Sequence, residues 1–204
     1  MSHIPFGKVV EVENFFPEPY VARAEALRHP SWDCENHPEG GNWPGKRTDY
    51  ASVISHDVWQ SACESIYRAL GWEANRSVHF DSYFQICDET DGDSWVHQDD
   101  MPQAYTHVGL VYLTPDAPRD GGTLIYKPKD PNAEITLLKH KNGGFLPGDP
   151  SEYTVTHEVE NVFNKGIIYN PLTLHKSNKY FGQAPHNARA TYIFFARDNE
   201  PERQ

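Results

Sequence analysis

With 204 residues, 38% of them hydrophobic and 13% aromatic, the chain is long enough to bury one sizeable core and too apolar for a disordered segment. Its 18 Lys and Arg stand against 29 Asp and Glu, a formal net charge of −11 with no basic run, so nucleic acid is not expected as a partner. Cys34, Cys63 and Cys87 form no CxxC pair, the start "MSHIPFGKVVEV" has no leader-like pattern, and no stretch is long enough to span a bilayer. A cytoplasmic protein with reduced thiols and no membrane partner is expected, and nothing in the composition bears on oligomeric state.

In chain order, "GKVVEV" predicts a short strand. "PEPYVARAEALRHP" predicts a helix with Val21, Ala24, Leu27 and Arg28 on one stripe, stopped by Pro30. Residues 31–50, dense in Gly, Pro, Asn and Trp, read as a long ordered loop. "SHDVWQSACESIYRALG" predicts a second helix with Val58, Ala62, Ser65, Ile66 and Leu70 on one stripe, Ser55 capping its start and Gly71 ending it. The character then changes. "SVHFDSYFQIC", "YTHVGLVYL", "GTLIYKP", "EYTVTHEVEN", "GIIYN" and "ARATYIFFA" are short, β-branched and aromatic, and separated by turn residues. Helices followed by a run of strands imply a single α+β domain, mainly β, whose sheets form a sandwich or barrel: residues 1–75 as helical support, 76–198 as the β core. Residues 139–150, "KHKNGGFLPGDP", read as an insertion suited to a lid.

Carboxylate and imidazole two residues apart on a strand point to one side of it and suit a divalent transition metal. Chance alone scatters about one and a half His-x-acid triplets through a chain with eleven His and 29 acids, and this one has three, so spacing does not decide among them. His37 to Glu39 lies in the proline-rich loop and reads as a solvated turn. His79 to Asp81 opens a strand on which His79, Asp81, Tyr83, Gln85 and Cys87 share one face, inward in a barrel and outward in an open sheet. His97 to Asp99, in "WVHQDDMP", follows the turn "DETDGDS" and sits where two strands meet, a common location for a site; Asp100 is assigned to the solvated loop. A third ligand would come from a distant strand, and His175 in "YNPLTLHKSN" is the natural candidate, with a satisfied core histidine as the alternative. His107, His140, His157 and His186 read as ordinary core or surface residues.

The order of "HQD", "VGLVYLTPD", "GGTLIYKP", "PLTLH" and "RATYIFFA" resembles the iron(II)- and 2-oxoglutarate-dependent oxygenases, particularly their prolyl-hydroxylase-like branch. The match is dense from about residue 83 to 196; "VEVENFFPEPYVARAEAL" and "NWPGKRT" further resemble a small bacterial-type group of unestablished substrate. The resemblance implies a double-stranded β-helix, the jelly roll shared with cupins, with the two helices outside one sheet. It implies Fe(II) on His97, Asp99 and His175, with 2-oxoglutarate and O2 as co-substrates. The distal carboxylate of 2-oxoglutarate would pair with Arg189 and accept a hydrogen bond from Tyr112. A guanidinium fork suits a carboxylate and a phenol adds a neutral donor. Arg189 stands with Thr191, Ile193 and Phe195 on one face of the last strand, and a buried Arg needs an anion, which a chain acid or a dicarboxylate supplies. Where related enzymes often carry a Tyr before the His-x-Asp turn, this chain has "QICDETD", so whether Tyr83, Gln85 or Cys87 meets the co-substrate stays open.

The implied reaction is hydroxylation of an unactivated C–H bond, with succinate and carbon dioxide as co-products. Asp99 argues against halogenation, because related halogenases usually lose that carboxylate. The substrate class, small molecule, amino acid or peptide side chain, rests on fold analogy alone. Arg47, Lys46 and residues 139–150 are candidate contacts, with Trp43 and Trp95 near the expected mouth. A cupin-like metal enzyme that does not use 2-oxoglutarate would have no use for Arg189, and a jelly-roll binding module would bind no metal.

Overall fold

Alternating β-branched and aromatic side chains become strands here, and those at the centre, His107–Tyr112 and Gly166–Tyr169, are buried on both faces. The computed structural model describes residues 4–29, 32–33, 44–99, 105–130, 137–139, 145–147 and 150–199. In chain order it has β1 (Val9–Val12), α1 (Pro19–Arg28), β2 (Trp32–Asp33), β3 (Lys46–Arg47), α2 (Ala51–Ile54), α3 (His56–Leu70), β4 (Val78–Cys87) and β5 (His107–Tyr112). There follow β6 (Thr123–Pro128), β7 (Leu137–Lys139), β8 (Phe145–Pro147), β9 (Tyr153–Val159), β10 (Gly166–Tyr169), β11 (His175–Ser177) and β12 (Arg189–Asp198).

The larger sheet runs β1-β10-β5-β12-β4-β3-β2 and the smaller β11-β6-β9, all pairs antiparallel. One bridge, His97 to His175, adds the His-x-Asp segment to the edge of the smaller sheet. The two sheets face each other as a jelly roll. The larger sheet's outer face puts Phe84, Val111, Ile168, Tyr192 and Phe194 against Ala22 and Ala26 of α1 and the buried stripe of α3. Its inner face carries Val108, Leu110, Tyr112, Ile167, Tyr169 and Phe195. No helix among the described residues is long and apolar enough to cross a membrane.

The second helix buries Val58, Ala62, Ser65, Ile66 and Leu70, the stripe its sequence spells, and ends on Gly71 in the left-handed region (φ 63°). Each of its larger apolar side chains contributes about 1.5–3 kcal/mol by burial. Ser55 precedes it, but its hydroxyl makes no capping bond; a four-residue helical turn, α2, runs into it and the Ser55 N–H is satisfied by Ala51 O. The first helix is rotated from the expected face. Val21 is 51% exposed and Ala24 and Leu27 also face outward, while Ala22 and Ala26 are buried. Two alanines let the helix lie close on the sheet. The Arg23 guanidinium then fixes the rotation by donating to Leu113 O (2.6 Å) and to His186 O.

Residues 31–50 are not all loop, because β2 and β3 pair and extend the larger sheet past β4. With β1 they make three strands ahead of residue 76, so support and barrel interleave across the expected division. The lid expected over 139–150 falls mostly outside the described residues; within it, Phe145–Pro147 pairs with Leu137–Lys139 as a two-stranded hairpin.

Candidate functional site

His97 N–H donates to His175 O and His175 N–H donates to His97 O, both at 2.9 Å. Residues paired this way across antiparallel strands project their side chains to the same side, so two histidines 78 positions apart are brought together by backbone bonding. Asp99, two residues on, turns its side chain the same way, and its N–H donates to Pro171 O at 2.8 Å. The imidazole centroids lie 4.3 Å apart. His97 Nε2 is 3.8 Å from Asp99 Oδ1 and His175 Nε2 is 3.3 Å from Oδ2. One ligand atom from each residue falls within 4.8 Å of the others, and no other such group occurs among the described residues.

Both rings are held in the tautomer that ligation needs. His97 Nδ1 lies 2.9 Å from Trp95 O and His175 Nδ1 lies 2.9 Å from Thr173 O, so each Nδ1–H donates to the carbonyl two residues upstream and each Nε2 lone pair faces Asp99. Burial, and then the neighbouring His175 ring, push the His97 pKa down to about 4, so it stays neutral near pH 7. Tyr169 completes the cluster. It is buried on β10, its ring is 4.7 Å from that of His175, and its hydroxyl is 3.5 Å from Asp99 Oδ2. Burial and the Asp99 charge raise its pKa well above the usual phenol value, so it remains a donor. Two imidazole nitrogens and a carboxylate on one face, open on the cleft side, fit Fe(II) in a facial arrangement.

The cleft runs from the triad to Arg189. Arg189, at the start of β12, is 3% exposed. Its Nε donates to Gly121 O at 3.0 Å and its guanidinium lies 5.6 Å from the Tyr112 ring centroid, but among the described residues its buried Nη2 has no partner, nor does the buried Thr191 Oγ1 on the same face. A buried guanidinium with an uncommitted N–H fits an incoming carboxylate, the group 2-oxoglutarate presents. The glycine pair before β6 is what allows this. A Cβ on Gly122 would stand 1.8 Å from Val159 O, and one on Gly121 would stand 2.5 Å from the Phe181 ring. Only with both bare does the Gly121 carbonyl reach Arg189, held also by Asn161 Nδ2 at 3.1 Å.

Tyr112 is fully buried, and its hydroxyl donates to Thr123 Oγ1 at 2.8 Å instead of lining the cleft. Thr123 does line it, and because it accepts from Tyr112 its own O–H is available to a ligand. Gln85 lines the cleft, held by its Nε2 donating to Pro44 O at 2.7 Å and by Arg47 donating to its Oε1 at 3.2 Å. Tyr83 does not line it; it packs on Tyr50 and Phe195. Arg47 and Trp95 line the cleft, whereas Lys46 is exposed. Thr123, Tyr169 and Tyr180 also line it, three residues that no sequence motif marks. Thr123 shares strand parity with Ile125, which pairs with His175, a signal that could have found it. Tyr180, whose hydroxyl bonds Ser94 and Ser177 and whose pKa burial pushes to about 12, follows β11 in a stretch with no period to place it.

The triplet of His79 and Asp81 stays apart from the triad. His79 bonds Asp81 at 3.1 Å with its side chain 47% exposed. His37 to Glu39, Asp100, Trp43 and His140 lie outside the described residues. His107 packs edge-on against Trp72, His157 pairs with Glu11, and His186 is exposed.

No protein-family model matches the sequence, and no curated protein does. Solved structures do match. HygX from Streptomyces hygroscopicus, with nickel and 2-oxoglutarate bound, superposes with a TM-score of 0.62 at 14% identity, over 94% of this chain and 83% of that one. A prolyl hydroxylase from Trichoplax adhaerens, in complex with a hypoxia-inducible-factor peptide fragment, gives 0.58 at 10% identity, over 94% and 84%. An oxidoreductase of the 2OG-Fe(II) oxygenase family from Burkholderia pseudomallei gives 0.54 at 14% identity, over 93% and 84%. The chain shares the jelly-roll fold of the 2-oxoglutarate- and iron(II)-dependent oxygenases, prolyl hydroxylase included.

Proposed function

We propose that the chain is an Fe(II)- and 2-oxoglutarate-dependent dioxygenase that hydroxylates an unactivated C–H bond of an amino acid, peptide side chain or small metabolite, releasing succinate and carbon dioxide. One observation carries this reading: the same cleft holds a tautomer-fixed His97, Asp99 and His175 and, at its inner end, a buried guanidinium whose Nη2 lacks a partner. HygX, of the same fold, binds nickel with 2-oxoglutarate, and also hygromycin B, which accords with a small-molecule co-substrate in this cleft.

His97, Asp99 and His175 would hold the iron. Arg189, with Thr123 and Thr191, would take the distal carboxylate of 2-oxoglutarate; Tyr112 supports Thr123 from behind. Iron with 2-oxoglutarate supplies the activation of O2 and the oxidising equivalents. The chain's part is to fix three ligands on one side, leave the other side to ligands from the cleft, and hold the substrate's C–H bond against the iron. Leu110, Ile193 and Phe195 keep that part of the cleft apolar.

An anaerobic titration with Fe(II) and 2-oxoglutarate tests the reading. A weak visible charge-transfer band should develop with both present and be absent from His97→Ala and His175→Ala. Folded wild-type protein that binds Fe(II) but gives no band would favour a cupin-like enzyme that does not use a keto acid. Protein that binds no metal would favour a binding module.

A further inference from the structure

We propose that Tyr169 is a positioning residue that confines Asp99 to ligation through one oxygen and so keeps a coordination position open at the iron, an inference that rests on the oxygenase reading. The carboxylate by itself is set to ligate through both oxygens. Asp99 Oδ1 stands 3.8 Å from His97 Nε2 and Oδ2 stands 3.3 Å from His175 Nε2, so each oxygen lies beside one of the nitrogens that would share the ion with it. The backbone of Asp99 is pinned by its N–H to Pro171 O, which fixes where the carboxylate is but not which oxygen it presents. Neither imidazole can decide the matter by donating to one oxygen, because the ring protons are on Nδ1 and committed to Trp95 O and Thr173 O.

The Tyr169 hydroxyl breaks that symmetry. It lies 3.5 Å from Oδ2, a long hydrogen bond, and among the described residues it is the one hydroxyl that reaches the carboxylate and has no other partner of its own. β10 sets its approach: Tyr169 pairs with Val9 on one side and Val108 on the other, so the phenol enters from the larger sheet while His97 and His175 enter from the smaller. Its ring is tilted 55° against that of His175 at 4.7 Å and packs with Val108, Leu110 and Phe195 on the inner face. The side chain therefore cannot swing away, and a buried hydroxyl keeps the acceptor it has.

An octahedral ion held by two imidazoles and one carboxylate oxygen keeps a whole face for ligands from the cleft. A keto acid that chelates through two atoms then leaves one position of that face free for O2. If Asp99 gave both oxygens, as carboxylates readily do, the last position would be lost. With Oδ2 accepting from Tyr169, Oδ1 alone is left to the ion. In this role Tyr169 acts through Asp99, as outer partners of metal ligands do, and Tyr169→Phe isolates it by removing the hydroxyl while keeping the packed ring.

The test counts the exchangeable waters on Mn(II) bound to the protein, by proton and oxygen-17 relaxation of water, first without 2-oxoglutarate. Wild type should hold about three and Tyr169→Phe about two, a fall of about a third in inner-sphere relaxivity, while the variant binds Mn(II) no more weakly. A merely structural role would weaken Mn(II) binding and leave the water count of the bound ion unchanged. Adding 2-oxoglutarate should then leave about one water on the wild-type ion and almost none on that of the variant. Equal counts in the two proteins overturn the inference. So does a count of about two on wild type without 2-oxoglutarate, a measurement that needs no variant to fold. The Fe(II) and 2-oxoglutarate band is scored separately: a band with equal water counts refutes only this inference. A lower count in the variant, with no band and no response of the wild-type count to 2-oxoglutarate, refutes only the use of a keto acid. Folded wild type that takes up no Mn(II) refutes both.

Discussion

Replacing Arg189 by Met distinguishes a guanidinium kept for a ligand from one kept for the fold. In the free protein the substitution removes a charge-assisted bond to Gly121 O, worth about 1.5–3 kcal/mol, and a contact with the Tyr112 ring worth about 0.5–2 kcal/mol. Gly121 O is not stranded, because Asn161 Nδ2 still donates to it. Against these losses stands the cost of burying a cation with no anion paired to it among the described residues, several kcal/mol, which Met does not incur. The opposing effects nearly cancel, and the ligand-free variant should stay within about 2 kcal/mol of wild type. The ligand response should differ sharply. At about 100 times its Kd, 2-oxoglutarate stabilises a protein that binds it by about 2.7 kcal/mol. For a chain of this size that is a rise of about 5–10 °C in Tm. Thermal unfolding of Mn(II)-loaded protein, with and without 2-oxoglutarate, should show this rise in wild type and almost none in Arg189→Met. An equal rise in the variant would refute the assignment of the carboxylate to Arg189. A ligand-free variant destabilised by more than about 4 kcal/mol would show that the guanidinium is a structural counter-ion to an acid of the chain.

Gly122→Ala places a methyl 1.8 Å from Val159 O and 2.9 Å from Asn161 N, both backbone atoms, and should destabilise by more than about 3 kcal/mol in a denaturant titration. Thr123→Val should weaken 2-oxoglutarate about tenfold or more, and Tyr112→Phe less, because Thr123 lines the cleft and Tyr112 acts through it; the reverse order of affinities by calorimetry would restore direct contact by Tyr112. The metal-free protein should lose stability as the medium is acidified through the range from pH 6.5 to pH 4. The His97 pKa is about 4 folded and about 6.5 unfolded, so between those values only the unfolded chain takes up the proton. The contribution, about 3 kcal/mol, is complete above pH 6.5 and gone below pH 4, and His97→Gln should flatten that part of the urea-derived profile; an unchanged slope would refute it.

What the sequence made legible depended on whether one period was enough. β12 alternates Arg189, Thr191, Ile193 and Phe195 on one face with Ala190, Tyr192, Phe194 and Ala196 on the other, and both faces are buried as that alternation implies. The second helix behaves likewise, because its stripe is the only apolar one it has. The first helix offers two faces, and hydrophobicity favours the wrong one: close packing on a sheet selects Ala22 and Ala26 over the larger Val21 and Leu27, and the Arg23 bonds to distant carbonyls cannot be foreseen from the helix alone. Within the site, parity identifies which residues turn inward but not how deep they stand. Tyr112 and Thr123 both face inward, yet only Thr123 reaches the cleft, since closure of the barrel sets the phenol behind the threonine. The triad shows the same limit from its other side. His97 and Asp99 share a face by spacing, but the bridge that brings in His175 is a property of two strand ends meeting, and it is this meeting, not the His-x-Asp spacing repeated elsewhere in the chain, that turns three scattered side chains into a ligand set.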